Sequence, residues 1–214
     1  MKAGQAAIDY GTAFDQSLAN ASTLIDTNVT DMDALKGKIL DLSDSTGLAA
    51  DELNNALYSA LSAGIPATED MSEALSFLDS SARLAKSGFT DINTAVEASA
   101  KVLNAYRMGT EETDRVQKVM MQTQNLGIVT VGELGSVLAQ VTPTAAAFGV
   151  SFEQVGASLA TMTAQGTPAA QATTQLNGIL SELGKSGTAA LPTATSIAVW
   201  IRDSSKNLHR PQAM

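Results

Sequence analysis

Cysteine is absent from this chain of 214 residues, which excludes a disulfide framework and any thiolate metal site. Histidine occurs once, at His209 near the C-terminus. Neither a Ser-His-Asp triad nor a multi-histidine metal centre can therefore be built in the preceding part, and His209 itself reads as a solvated tail residue. Aromatic residues make up only 4%, while Ala, Ser, Thr and Leu dominate. That balance favours close-packed helices of small residues over a sheet rich in β-branched and aromatic side chains. Basic residues are scarce as well: 13 Lys and Arg lie scattered among 22 Asp and Glu, for a net charge of −9. Phosphate binding needs clustered cations, so a nucleic-acid surface is not expected. No apolar run approaches the roughly 18 residues that span a bilayer, the best stretch being 197–201. The N-terminus lacks the apolar core of a signal peptide. The sequons at Asn20 and Asn28 thus carry no weight, and the expectation is a protein made and kept in a cytoplasm.

What is present is hydrophobic content of 44%, enough to bury a sizeable core in one or two domains. Residues 126–166 set the pattern for the rest. Gly127, Gly149 and Gly166 each end an apolar-periodic run, where a left-handed glycine can close a helix. Thr130, Ser151 and Thr167 follow as N-caps, with Glu133 and Gln154 completing two capping boxes and Pro168 at the first helical position.

The same grammar predicts helices along the whole chain. Residues 5–27 space Ala7, Tyr10, Phe14, Leu18 and Ala21 about one turn apart. Thr30 is expected to cap a helix carrying Leu35, Ile39 and Leu42 that ends near Gly47. Residues 50–63 carry Leu53, Leu57 and Leu61 and stop at Gly64 and Pro66, and residues 68–87 form the next helix. Thr90 is expected to cap the stripe of Ile92, Val96, Val102 and Leu103, ended by Gly109. Thr110 is expected to cap that of Val116, Val119 and Met120, with Glu111 and Glu112 in the first turn. After Gly127 come Leu134, Val137, Leu138 and Val141, and Pro143 should break this helix, leaving 143–148 as a separate turn.

Gly47, Gly88, Gly127 and Gly166 recur at intervals of 41, 39 and 39 residues. The expected fold is therefore all-α, built of consecutive helical hairpins in two-helix units of 39–41 residues, compact or solenoid-like. Beyond Gly187 the texture changes: residues 188–214 hold the only Trp, the only His and two of the five prolines, without helical periodicity. Residues 1–187 are read as a helical region and 188–214 as an irregular tail, non-native or remnant.

Candidates for chemistry are few. Asp41, Ser43, Ser45 and Glu52 fall at positions 1, 3, 5 and 12 of a calcium loop, but Thr46 stands where that loop needs Gly. A helix end followed by the next cap explains the same residues. Glu111, Glu112 and Asp114 are explained by the favour that a first helical turn shows to acids. Met120 fits a buried stripe with Met121 beside it. The GELG of Gly132 and Gly135 lacks the Lys and hydroxyl of a phosphate loop. No catalytic, cofactor or metal residue is assigned.

The run TPTAAAFGVSFEQVGASLATMTAQGTPAAQATTQLNGIL (142–180) resembles the core region of phage tail tape-measure proteins. So does ALSAGIPATEDMSEALSFLDSSARLAKSGFTDINTAVEASAKVLNAYRMGTEETDRV (60–116). The likeness extends over roughly 7–185 and is most specific at 102–109 and 143–155. It implies an architectural role without catalytic residues: a core segment, excised or truncated, of a protein that occupies the tail tube and sets its length. It further implies tail tube and tail assembly proteins as partners, with self-association, and no cofactor, nucleic acid, membrane or small-molecule substrate. The implied locations are the host cytoplasm during assembly and the virion tail afterwards. A helical-repeat scaffold binding a partner protein is the alternative.

Overall fold

Apolar spacing near 3.6 residues requires partners to cover each stripe, and the chain supplies them from its own helices. The computed structural model describes residues 2–184, with nine α-helices, one 3-10 turn and no strand among them. The helices are α1 (Lys2–Ser22), α2 (Met32–Thr46), α3 (Ala50–Ser62), α4 (Ser72–Ser87), α5 (Ile92–Tyr106), α6 (Thr113–Leu126), α7 (Val131–Ala147), α8 (Phe152–Ala164) and α9 (Ala169–Leu183). The 3-10 turn is Thr110–Glu112. The all-α expectation holds. The expected tail, 188–214, and His209 lie outside the described residues.

The chain divides into two units, Met1–Ala100 and Lys101–Met214, with the division falling inside α5. In the first, α3 packs against α1, α2 and α4, and α2 also meets α4. Phe14, Leu35, Ile39, Leu53, Leu57, Phe77 and Leu78 fill this core. Asn54, fully buried on α3, donates to the Phe14 carbonyl at 3.3 Å and to Ser17 Oγ at 3.0 Å, which ties α3 to α1.

In the second unit α8 is central, with α6, α7 and α9 all packed on it and α7 packed on α9. Residues 155–160 of α8 are all buried, so no face of the helix is left open. Such enclosure needs small side chains. A Cβ on Gly156 would lie 2.6 Å from Thr123 Oγ1 and 2.8 Å from Val119 Cγ1, both on α6. Three of the buried hydroxyls are satisfied locally: Thr123 donates to the Val119 carbonyl at 2.8 Å, Thr142 to Leu138 at 2.9 Å and Thr163 to Leu159 at 2.8 Å. Bonding back to the preceding turn lets Ser and Thr stand in for Ala in a tight core without an orphaned donor. The Ala-, Ser- and Thr-rich composition is thus the composition of this core.

Helix ends follow the predicted grammar in part. The capping boxes of Thr130 with Glu133 and of Ser151 with Gln154 are both formed. Gly149 and Gly166 take φ of 70° and 92°, as a left-handed closure requires. Gly127 does not: its φ is −107° and ψ 179°. Its role is close approach, since a Cβ there would meet the Ala160 Cα at 2.9 Å and Thr163 Oγ1 at 2.5 Å. After α4 and α5 the left-handed position falls on Phe89 (φ 52°) and Arg107 (φ 54°), not on Gly88 or Gly109.

Four expected caps are displaced. Asp31, not Thr30, caps α2 by accepting from the N–H groups of Asp33 and Ala34. Asp91, not Thr90, accepts from Thr94 N–H at 2.8 Å. In both cases a carboxylate one residue later outcompetes a hydroxyl for the free N–H groups. Thr110 opens the 3-10 turn, whose carbonyl takes the Thr113 hydroxyl at 2.6 Å before α6 begins. Thr167 caps nothing, because Pro168 occupies the N-cap of α9 without a side-chain bond. Helix α4 starts at Ser72, later than expected, because Met71 adopts φ 57° and turns its fully buried side chain into the core.

Pro143 lies inside α7, which runs unbroken to Ala147, so 143–148 is no separate turn. The missing N–H costs one ladder bond, to the carbonyl of Ala139. Pro143 and Ala139 both sit on the exposed side, where water can take that carbonyl. On the inner side buried Val141, Thr142 and Ala145 hold the helix from either flank.

Candidate functional site

Several charged groups that the fold holds in a defined place serve a helix end or a crossing. Arg115 Nε donates to Glu153 at 2.6 Å while its Nη1 donates to Glu112 at 2.9 Å, so one guanidinium joins the starts of α6 and α8. This bridge spans 38 residues and has no local signature in the sequence. Burial is the largest single influence on the Glu153 carboxylate and pushes it up, but the Arg115 hydrogen bond, the Glu153 N–H, the Arg115 charge and Ser151 together hold the group below its usual value. Arg115 is raised above its own usual value by the Glu153 and Glu112 bonds. Hydrogen bonds from Ser72, first its N–H and then its hydroxyl, keep Asp70 low, and the Thr94 hydroxyl does the same for Asp91 against a smaller burial effect. Tyr106 moves the other way: burial, with the nearby Glu153 charge, raises its phenol, which donates to the Val150 carbonyl at 3.0 Å. Every one of these carboxylates is pushed further from neutrality, the direction opposite to that of a general acid or base.

The residues weighed from sequence fall into the same structural duties. Asp41, Ser43 and Ser45 lie in one continuous helix, α2, whose 100° per residue fans them around its axis, while Glu52 is in the first turn of α3. Ser43 donates to the Leu48 carbonyl at 2.6 Å and Ser45 to Leu42 at 3.0 Å. Glu112 belongs to the Arg115 bridge, and Glu111 shares its 3-10 turn. Met120 is fully buried and Met121 half-buried. Gly132 and Gly135 lie within the first turns of α7, a helix and not a loop. Among the described residues no three His, Cys, Asp or Glu side chains are grouped as a metal site would need.

Two shallow grooves cross the first unit. One of about 580 Å³ runs between α2 and α4, with Leu42, Leu75 and Ala82 on its floor and Lys38, Arg83 and Lys86 along its sides. These cations are engaged: Lys38 donates to the Asp70 carbonyl at 2.8 Å, Arg83 pairs with Asp79, and Lys86 donates to the Thr46 carbonyl at the end of α2. A second groove of about 610 Å³ lies beside Val29, Leu35 and Met71, rimmed by Asp31, Glu69 and Asp70.

Charge is unevenly shared. Residues 1–100 hold 15 acidic and 5 basic side chains, a net −10, whereas 101–214 hold 7 and 8, a net +1. Between Leu134 and Ser181 the only charged residue is Glu153. The exposed sides of α7 and α9 accordingly carry charge only near their ends, at Glu133 and Glu182, with Ser136, Ala139, Gln140, Gln171, Thr174 and Gln175 uncharged between them. Among the described residues the most exposed large apolar side chains are Phe89, at 90%, and Ile128, at 73%. No single helix among the described residues is long and apolar enough to cross a membrane; α6, with its preceding turn, and α7 pass a length and composition test together but are bent by 115° and bury their apolar stripes in the core.

Capped helices, engaged charges and open grooves give the described residues surfaces suited to packing. Known proteins point the same way. Residues 36–212 match the family described as phage-related minor tail protein. The chain is 61% identical over 180 residues to a protein named probable tape measure protein of Clostridium phage phiCD119, covering 84% of this chain and 19% of that relative. It is 24% identical over 203 residues to the tape measure protein of Pneumococcus phage Dp-1, covering 95% of this chain and 17% of the relative. The chain thus spans less than a fifth of the length of either relative. No solved structure matches.

Proposed function

The chain belongs to the phage-related minor tail protein family, and from that membership we propose that it is the core segment of a tail tape-measure protein, scaffolding assembly of the tail tube and the setting of its length. The observation that carries this reading is the 61% identity to a tape-measure protein over 84% of the chain. The role is architectural, without turnover of a substrate. Its partners are tail tube and tail assembly proteins, together with further copies of itself, met in the host cytoplasm during assembly and retained in the virion tail. Residues 1–187 act as the helical core region, with 188–214 outside it.

Within the parent protein this segment acts as a folded unit rather than as a linear part of the ruler. The test is an in-frame deletion of residues 88–126, which removes α5 and α6. A purely linear ruler would lose at most about 58 Å, the length of 39 helical residues. A folded unit loses the helix on which α8 packs, baring Gly156 and the side chains around it. Uncovering a few Leu or Val side chains costs about 1.5–3 kcal/mol each, enough to consume a stability of about 5–15 kcal/mol. The expected result is failure to assemble tails. Electron micrographs with normal numbers of slightly shortened tails would overturn the folded-unit reading, and normal numbers of tails of unchanged length would overturn the tape-measure reading itself.

A further inference from the structure

We draw no further inference here: the strongest candidate, the outer face of α7 and α9 with its small and amide side chains, is an unpartnered surface and nothing in the structure shows what covers it.

Discussion

At the residue scale, glycines that look alike in the sequence do different work, and substitution separates them. Gly149 and Gly166 have positive φ and open space where a Cβ would stand. Alanine at either should cost about 1 kcal/mol, the backbone penalty alone. Gly127 has ordinary backbone angles but meets the Ala160 backbone, which cannot swing aside as a side-chain end can. Gly127→Ala should therefore cost about 2–3 kcal/mol through forced separation of α6 and α8. Phe89 is the converse case, a 90% exposed aromatic residue in a left-handed conformation that glycine adopts freely. Phe89→Gly is expected to be neutral or stabilising, by up to about 1 kcal/mol, since little burial is lost. Urea midpoints for the four variants check the order; equal losses at Gly127 and Gly149 would refute the assignment of close approach.

At the scale of the element, stability should follow the caps that the structure places. Asp31→Ala and Asp91→Ala are each expected to cost about 1 kcal/mol, because each leaves free N–H groups at a helix start. Acid titration addresses the bridge between α6 and α8. The folded-state value of Glu153 lies below its unfolded one, so its contribution is present above about pH 4.5 and is lost as pH falls through the folded value. Half of the Arg115 side chain is exposed, which limits the pair to about 0.2–1 kcal/mol. Glu153→Gln should lower the urea midpoint at pH 7 and flatten its decline on acidification. A parallel decline in both proteins would show that Arg115 contributes nothing through Glu153. The capping boxes of α7 and α8 were legible beforehand because they are written within four residues. The Arg115 bridge was not, because its two ends lie on different helices.

At the scale of the whole molecule, apolar stripes covered by neighbouring helices give each of the two units its own core. Circular dichroism of the purified protein should be dominated by helix, and a spectrum with substantial strand would contradict the fold. Peptidoglycan incubated with the protein should remain intact, because the carboxylates held by hydrogen bonds sit below their usual range and serve helix ends. Hydrolysis that disappears on changing one of these acids would reverse that reading.

The all-helical character, the apolar stripes of α2, α3, α5, α6 and α7 and the two capping boxes followed from sequence by itself. They depend on spacing of 3.6 residues and on contacts three or four residues apart, which the order of residues specifies directly. Only the tertiary structure decided that Pro143 stays within a helix, since buried neighbours on the inner face outweigh one lost bond on the outer. It also decided that α8 is the enclosed helix and that Gly127 is a crossing point rather than a left-handed closure. Those outcomes turn on which helices meet, and contacts between residues 33 to 37 positions apart are set by three-dimensional packing that no local pattern encodes.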